Sequence, residues 1–456
     1  MPKKKTALTI EERLQQALVP AEEQPYEVPE NWVWVRLGEV NKYVSKSVNP
    51  ISEPDKIFEL YSVPSMADDY PEIIAGSDIG SSKQSVCKED VLLCKINPRI
   101  NRVWKVSQFT DNELIASSEW IIIRNNHINA NYLMYCFQSK YFREFMLSNV
   151  SGVGGSLMRA QPKYVQTYPI PLPPLSEQQR IVERIEELLA KLDEAKERLQ
   201  EVADSFAVRK AAILHKAFTG ELTKQWRLEN GVSDESWEDK LLGDVCTVNP
   251  KKIDAKNLDD NLEVSFVPMA AVSDVLGEIV NHEVKNLQDV RTGFTNFSKG
   301  DVIFAKITPC MENGKSAIVG PLVNDIGYGS TEFYVLRCKE ELNNKYLYHM
   351  VRNTTFRAEA KAVMTGVVGQ QRVPKTFLQE YQLLLPTLSE QHEIVRLIDD
   401  LLARERAAQQ AAEQALASID LMKKSILARA FRGELGTNKA REASALELLK
   451  QVLAEN

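Results

Sequence analysis

The sequence predicts an α+β fold in which two globular domains are separated by an antiparallel two-helix coiled coil, with a pseudo-two-fold internal repeat. Three observations lead to this prediction: a duplicated sequence, two long segments with heptad spacing, and short β-rich runs ahead of each segment. The chain of 456 residues is long enough for several domains.

The duplication is clearest around the two long segments. LSEQQRIVERIEELLAKL begins at Leu175 and LSEQHEIVRLIDDLLARE begins at Leu388, while ILHKAFTGEL and ILARAFRGEL begin at Ile213 and Ile426. Both pairs are 213 residues apart, so no insertion interrupts the repeat between them. Upstream the match is looser, as between KEDVLLCKINP and KGDVIFAKITP. A long period of this kind indicates two copies of one structural unit.

Each long segment is predicted to be a helix that pairs with the other. The apolar residues follow the alternating four-three spacing of a coiled-coil seam, which requires a partner helix. Arg209 breaks the first seam, and Glu405 occupies a seam position of the second. About forty residues at 1.5 Å each predict helices of roughly 60 Å. The alternative is that both are core helices of a larger bundle. The predicted pairing positions are Ile181, Ile185, Leu188, Leu192, Leu199, Phe206, Ile394, Ile398, Leu401, Ala408, Ala412, Ala415 and Ile419.

The regions before the two helices are predicted to be α+β domains of variable sequence. The apolar runs at 120–123 and 333–336 predict strands, and helices are expected around 131–148 and 344–363. The pattern alone does not place the two chain ends. The predicted organisation is an N-terminal tail (1–30), a first variable domain (31–172), a first long helix (173–220), a linker (221–236), a second variable domain (237–384), a second long helix (385–435) and a C-terminal tail (436–456).

Composition and charge exclude several classes of protein. No stretch approaches the roughly 18 apolar residues of a membrane span, and the charged N-terminus lacks the apolar core of a signal peptide. We therefore expect a cytoplasmic protein without membrane contact. The formal net charge of −7 argues against binding nucleic acid through overall electrostatics. Any such binding would depend on local basic surfaces or on a partner.

Motifs for covalent chemistry are missing from the sequence. Gly314-Lys315-Ser316 is similar to the end of a phosphate-binding loop, but Pro309 occupies the position of the first required glycine. A methyltransferase would need a glycine-rich cofactor loop and an Asn/Asp-Pro-Pro-aromatic tetrapeptide, and neither occurs. The cysteines and histidines form no metal-binding pattern. We therefore expect a protein that is not an enzyme and holds no metal or cofactor.

Polar and basic residues occur at matching places in the two variable domains. One set follows the strands of KEDVLLCKINP and KGDVIFAKITP, and the other lies in a glycine-containing loop after the predicted helix. Arg and Asn side chains match base edges, whereas Lys mostly meets phosphate. Each residue alone could be solvated surface charge, but the repeated set favours binding to double-stranded DNA. The predicted DNA-binding residues are Lys95, Arg99, Asn101, Arg102, Arg159, Gln161, Lys163, Lys306, Asn313, Lys315, Gln370, Gln371, Arg372 and Lys375.

The paired segments PLPPLSEQQRIVERIEELLAKLDEA and LLPTLSEQHEIVRLIDDLLARE, each closed by AF-x-GEL, closely resemble the specificity subunits of type I restriction-modification systems. The resemblance covers nearly the whole chain, although the variable domains match only in layout. It implies a non-catalytic subunit whose two target-recognition domains read a bipartite DNA target. One departure is Thr387, which replaces the Pro174 of the first copy.

The resemblance also implies partners. Two methyltransferase (modification) subunits would bind the chain, and restriction/translocation subunits would join the full enzyme. S-adenosylmethionine, ATP and Mg²⁺ would then belong to the partners. Two alternatives stay open: a coiled-coil scaffold carrying two protein-binding modules, and a methyltransferase with fused recognition domains. The sequence specifies neither the target bases nor the length of the spacer between them.

Overall fold

The computed structural model describes residues 8–151, 158–254, 257–367 and 369–454. Its contacts divide the chain into a first unit, Met1–Leu199 with Gln414–Asn456, and a second unit, Gln200–Glu413. Both boundaries fall within long helices. Part of the predicted glycine-containing loop, residues 152–157, lies outside the described ranges, as do the first seven and last two residues of the tails.

The first unit is a mixed α+β domain. Its helices are α1 (Ile10–Ala17), α2 (Leu37–Val40), α3 (Ala130–Gln138), α4 (Lys140–Ser148), α5 (Pro162–Val165) and the first part of α6 (Leu175–Phe218). Its strands are β1 (Val33–Arg36), β2 (Ser47–Val48), β3 (Ile57–Tyr61), β4 (Glu72–Ala75), β5 (Lys83–Ser85), β6 (Val91–Cys94), β7 (Val103–Lys105), β8 (Glu113–Ala116), β9 (Trp120–Ile123), β10 (Val150–Ser151), β11 (Arg159–Ala160) and β12 (Pro169–Leu172).

The second unit repeats this plan. Its helices are the rest of α6, α7 (Lys224–Asn230), α8 (Leu242–Val245), α9 (Leu287–Val290), α10 (Asn344–Arg352), α11 (Thr354–Ala362), α12 (Lys375–Glu380) and the first part of α13 (Leu388–Ala430). Its strands are β13 (Glu238–Leu241), β14 (Cys246–Val248), β15 (Glu263–Val267), β16 (Glu283–Asn286), β17 (Thr295–Phe297), β18 (Val302–Ala305), β19 (Ser316–Ile318), β20 (Gly327–Gly329), β21 (Phe333–Cys338) and β22 (Gln382–Leu385). The end of α13 and helix α14 (Ala445–Ala454) return to the first unit.

Equivalent sheets form in the two units. The first contains sheets of order β2-β5-β8-β3-β4 and β7-β6-β9, and the second contains β16-β15-β20-β17 and β14-β21-β18-β19. One parallel pair occurs at the same place in each, β3 with β8 and β15 with β20. Strands β6 and β18 are uninterrupted apolar runs that are buried throughout, because alternate residues of each strand point into two different cores. The predicted repeat therefore extends through the variable domains.

The single helices expected at 131–148 and 344–363 are each two helices in the structure. Ser139 separates α3 from α4 and Asn353 separates α10 from α11, and both residues have an extended backbone. The Ser139 hydroxyl donates to the Cys136 carbonyl (2.6 Å), and the Asn353 side chain accepts from the Thr355 amide (3.0 Å). Apolar spacing continues across both breaks, so the periodicity alone does not reveal them.

Within each unit, the start of one long helix packs against the end of the other. In the first unit, Ile181 and Ile185 of α6 share a core with Ala430 of α13. In the second unit, Ile394 and Ile398 of α13 share a core with Ala217 of α6. The helices therefore run antiparallel, as predicted.

The predicted seam residues differ in burial. Ile181, Ile185, Phe206, Ile394, Ile398, Ala412 and Ile419 are buried, and Leu188, Leu192, Leu199, Leu401 and Ala415 are partly buried. Ala408 is exposed, which corrects its place in the predicted seam. A straight helix of 3.6 residues per turn drifts away from a strict heptad spacing, so some predicted positions rotate out of the interface. The two charges in the predicted seams pair with each other, with Arg209 Nε 2.9 Å from Glu405 Oε2.

The repeated Leu-Ser-Glu-Gln sequence places a buried glutamine at the start of each long helix. Gln178 accepts from the Asn129 amide (2.9 Å) and donates to the Pro173 carbonyl (2.9 Å). Gln391 accepts from the Asn343 amide (2.8 Å) and donates to the Pro386 carbonyl (2.8 Å). Each glutamine thereby joins its long helix to the residue that caps α3 or α10.

The glutamates of the same repeated sequence bind the segments that follow the long helices. Glu177 accepts from Trp32 Nε1 (2.8 Å) and from Asn438 Nδ2 (2.9 Å). Glu390 accepts from the Thr223 hydroxyl and from Arg227, both at 2.7 Å. The segment 221–236, expected to be a linker, contains helix α7 and this buried arginine. It is folded as part of the second unit because a buried carboxylate requires such partners.

The parts of the two tails that the structure describes belong to the core of the first unit. Helix α14 packs on α1, and Leu449 and Val452 of α14 are fully buried together with Ala17 of α1. Within the described ranges, the helices lack the combination of length and apolar content needed to cross a membrane.

A glycine recurs at the same place in α2 and α8 and allows close backbone approach. The Gly38 amide donates to the Gln166 carbonyl (2.7 Å), and a Cβ atom at Gly38 would lie 2.9 Å from Gln166 Cβ. At Gly243 the corresponding distance to the Gln379 carbonyl oxygen would be 2.8 Å. These contacts are closer than a methyl group tolerates.

Gly38→Ala is therefore expected to lower the free energy of unfolding by about 1–3 kcal/mol through overpacking. Urea denaturation of the full chain measures this change. Gly80→Ala is the control, because a Cβ atom there meets nothing within 4 Å. Equal midpoints for the two variants would show that the α2 contact is not tight.

Candidate nucleic-acid interface

The two predicted loops of the first unit meet at the end of β6. Ile96 pairs with Arg159 as an isolated β-bridge. The Ala160 amide donates to the Lys95 carbonyl (2.8 Å), and the Asn97 amide donates to the Met158 carbonyl (2.8 Å). Residues that are about sixty positions apart in the sequence thereby form one surface.

The second unit brings its two loops together in the same way. Ile307 pairs with Arg372 as an isolated bridge. The Val373 amide donates to the Lys306 carbonyl (2.9 Å), and the Thr308 amide donates to the Gln371 carbonyl (3.0 Å). The correspondence between the two predicted sets therefore holds in three dimensions.

A glutamate that the sequence analysis missed joins the basic residues in each unit. Arg159 contacts Glu119 (3.2 Å), and the Lys95 amide donates to the Glu119 carbonyl (3.0 Å). We call Lys95, Glu119 and Arg159 the first basic corner.

The second basic corner consists of Lys306, Glu332 and Arg372. Arg372 makes two hydrogen bonds to Glu332, of 2.8 and 2.9 Å, and the Lys306 amide donates to the Glu332 carbonyl (2.9 Å). In both units the glutamate directly precedes the aromatic residue that begins a strand, Trp120 or Phe333. That repeated Glu-aromatic pair is the sequence signal that could have identified both glutamates.

The glutamates orient the arginines. The hydrogen bond from Arg372 lowers the pKa of Glu332 and so stabilises the ionised carboxylate. A guanidinium has five N–H donors, and an arginine held by a carboxylate on one side can present the remaining donors in a fixed direction. Lys306 lies over the ring of Tyr334, 5.2 Å from its centre. The second corner is therefore an ordered cationic surface.

The other predicted DNA-binding residues divide into outward and inward groups. Arg99, Lys163, Asn313, Gln370 and Lys375 are exposed, and Arg102, Gln161 and Gln371 are half-buried. Two further residues also donate a hydrogen bond within the protein. Asn101 Nδ2 donates to the Gln138 carbonyl (3.0 Å), and Lys315 Nζ donates to the Met269 carbonyl (3.2 Å). The role of these two residues in DNA binding stays a prediction.

In the described part of the chain, no three side chains of His, Cys, Asp or Glu come together in a way that could hold a metal ion. The expectation that the chain binds no cofactor stays a prediction.

The chain thus consists of two units with the same architecture, each with two loops that meet at the end of a central strand. A model of the type I restriction modification DNA specificity domain matches residues 29–204 and 234–415. Because the two matches cover well over half of the chain, the chain belongs to this family. The predicted family membership is confirmed.

Several curated proteins are similar to the chain. The specificity subunit of the type I restriction enzyme EcoEI of Escherichia coli is 33% identical over 263 residues, which cover 48% of this chain and 44% of the relative. The EcoAI specificity subunit of Escherichia coli is 32% identical over 263 residues, which also cover 48% of this chain and 44% of the relative. The chain thus spans less than half the length of these two relatives. The StySPI specificity subunit of Salmonella potsdam is 27% identical over 346 residues, or 72% of each chain.

Solved structures show that the fold is shared. The HsdS subunit from Thermoanaerobacter tengcongensis superposes with a TM-score of 0.66 at 22% identity, covering 90% of this chain and 99% of that chain. A chain from a structural study of complex assembly and conformational transition of the type I R-M system gives a TM-score of 0.65 at 21% identity, covering 90% and 100%. The predicted α+β repeat with long paired helices is therefore confirmed.

Proposed function

We propose that the chain is the non-catalytic DNA-specificity subunit of a type I restriction-modification system. It recognises a bipartite DNA target and directs methyltransferase and restriction subunits to that target. The observation that supports this proposal most directly is the recurrence of the basic corner. A Lys, a Glu and an Arg occupy equivalent loops in both units. The chain belongs to the family of the type I restriction modification DNA specificity domain.

Each basic corner supplies the chemistry for one half-site. Arginine and lysine can donate to the O6 and N7 atoms of guanine in the major groove, while asparagine and glutamine match adenine. Lys95 and Lys306 serve as phosphate or guanine contacts, and the exposed Arg99 and Gln370 extend the contact surface. The bases that are read depend on how each loop meets the groove.

The partners complete the function in this proposal. A chain with a net charge of −7 binds DNA weakly alone, because neutralising phosphates requires an excess of local cations. Methyltransferase subunits supply the missing attraction and carry S-adenosylmethionine, while restriction subunits carry ATP and Mg²⁺. A cytoplasmic location follows from this role and stays a prediction.

The long helices set the distance between the half-sites in this proposal. Helix α6 has 44 residues and α13 has 43. At 1.5 Å per residue they are about 65 Å long, which is close to two turns of duplex DNA at roughly 34 Å each. Helices of this length exceed one duplex turn, so they suit two half-sites whose centres lie about one turn apart on one face of the duplex.

Variants of each basic corner test the proposal in the chain assembled with its methyltransferase subunits. Lys95→Ala with Arg159→Ala is expected to weaken recognition of one half-site about 5- to 100-fold, because a base contact contributes about 1–3 kcal/mol. Lys306→Ala with Arg372→Ala is expected to affect only the other half-site. Binding to duplexes mutated in one half-site, measured over a salt series, separates these effects.

The matched control is Arg184→Ala with Lys191→Ala, which removes two exposed cations from α6. Arg99→Ala tests the first corner without disturbing an ion pair to Glu119. If both corner variants bind the duplex like the control, the corners are surface charge and do not read DNA. A chain that shows no salt-dependent DNA binding even with its partners would instead support the coiled-coil scaffold with two protein-binding modules.

A further inference from the structure

The second unit contains a cationic pocket beside its part of the long helices. The pocket has a volume of about 480 Å³ and lies among α6, α10, α13 and a hairpin at 273–278. Lys210, Lys345, Arg352 and Arg406 line it, together with the acidic Asp399 and Glu278. Asp399 is already paired with Lys345 (3.1 Å). The pocket is thus a positive site on a chain whose net charge is negative.

The equivalent face of the first unit has the opposite balance of charge. The long helices match with an offset of 213 residues, and α3 matches α10 with an offset of 214. Arg406 corresponds to Asp193, Lys345 to Asn131, Arg352 to Gln138, Asp399 to Glu186 and Lys210 to Lys423. One cation therefore faces two carboxylates in the first unit, whereas four cations face Asp399 and Glu278 in the second. At these equivalent backbone positions, the second unit therefore carries more positive side chains than the first.

A hairpin adds exposed aliphatic side chains to this pocket. The segment 268–282 between β15 and β16 is longer than the equivalent segment 62–71 of the first unit. The Ser273 amide donates to the Glu278 carbonyl (3.0 Å), and the Gly277 amide donates to the Ser273 carbonyl (2.9 Å). At the tip, Val275 is 85% exposed and Leu276 is 48% exposed.

The hairpin is held firmly against α10. Arg352 donates to the Asp274 carbonyl (2.8 Å) and also to the Gly314 carbonyl (2.8 Å). Gly277 has a positive φ of 70°, and a Cβ atom at this position would overlap the Tyr348 hydroxyl. The exposed tip is therefore fixed beside the cations.

We propose that this pocket binds an acidic segment with aliphatic side chains, contributed by one of the two methyltransferase subunits. The proposal rests on the function proposed above and adds the site and the chemistry of one contact. Carboxylates of the segment pair with Lys345 and Arg406, while its aliphatic side chains cover Val275 and Leu276. A DNA phosphate would use the cations but leave the hairpin tip exposed to water, so the pocket fits a protein segment better.

The two units are therefore expected to bind the methyltransferase subunit with unequal affinity. Two identical methyltransferase subunits meet a cationic face on the second unit and a more acidic face on the first. The subunit on the second unit binds more tightly, and its binding weakens more steeply with salt because charge pairs are screened.

The test titrates the full chain with its purified methyltransferase subunit at about 0.1 and 0.5 M salt and follows the assembly by sedimentation. The wild type is expected to bind two subunits in two steps. Arg406→Asp with Lys345→Asn, which introduces the residues of the first unit, is expected to weaken the tighter step at least about tenfold. Val275→Ser with Leu276→Ser is expected to weaken the same step with little change in its salt dependence.

The matched control is Arg404→Asp, because Arg404 is exposed on the same helix, pairs with Asp400 and does not line the pocket. If the pocket variants bind both subunits like Arg404→Asp, the inference is overturned. If they lose affinity for DNA while both subunits stay bound, the pocket binds phosphate and the inference is also overturned. A wild-type chain that binds no methyltransferase subunit would contradict the proposed function itself.

Discussion

Arg227→Met is expected to lower the free energy of unfolding by about 3–5 kcal/mol, because it leaves a buried carboxylate without its cation. Glu390 is fully buried, and the Arg227 side chain is 8% exposed. Burial opposes the charge of Arg227, but its hydrogen bonds to Glu390 and Asp234 outweigh this effect and raise its pKa. The pair also joins α7 to the start of α13, so its loss is expected to loosen the second unit.

A double-mutant cycle separates the pair from its surroundings. Arg227→Met combined with Glu390→Gln is expected to be more stable than Arg227→Met alone, because no uncompensated charge stays buried. Arg404→Met is the control, since the Arg404–Asp400 pair is exposed and is expected to contribute less than about 1 kcal/mol. Urea denaturation measures these three variants and Glu390→Gln alone, which completes the cycle. A change of under 1 kcal/mol in Arg227→Met would mean that water reaches the Glu390 carboxylate.

Lengthening both long helices by one heptad is expected to abolish modification of the original target and create a target with a longer spacer. Seven residues add about 10.5 Å of helix, or about three base pairs at 3.4 Å each. The insertions are made after Leu199 in α6 and after Glu413 in α13, with the local seam pattern continued so that helix pairing is retained. The half-sites are expected to stay unchanged, because the basic corners are untouched.

Methylation-sensitive sequencing of a host that carries the variant and its methyltransferase subunits reveals both half-sites and their spacing. The same seven residues inserted after Gly80 are the control, because a Cβ atom at this exposed residue meets nothing within 4 Å and the insertion leaves the long helices intact. An unchanged spacer in the double insertion would refute the proposed role of the helices in setting the distance.

The repeat and the long helices could be predicted because their signals are periodic and local. A heptad seam indicates that a helix has a partner, and a constant offset of 213 residues shows which segments are equivalent. The same signals could not predict the exposure of Ala408 or the break at Ser139. The first depends on the drift of a real helix from a heptad, and the second depends on how α4 packs in the core.

The candidate site was predicted only in part. Lys95, Arg159, Lys306 and Arg372 were chosen because they occur at matching places, and the structure does bring their loops together. Glu119 and Glu332 were missed, because an acidic residue argues against DNA binding until its arginine partner is seen. Asn101 and Lys315 lie in the same loops, and the structure adds that each donates a hydrogen bond to a backbone carbonyl.

Residue types and spacings along the chain are sufficient to predict the duplicated plan, the α+β class, the long paired helices and the family, because each of these depends on local or periodic features. Only the tertiary structure decided which segments close the two units and which basic side chains remain available. Helix α7, the C-terminal tail and the buried Glu177 and Glu390 acquire their roles from partners that are distant in sequence. Burial and charge pairing depend on the three-dimensional neighbours of a group, and no local pattern specifies those neighbours.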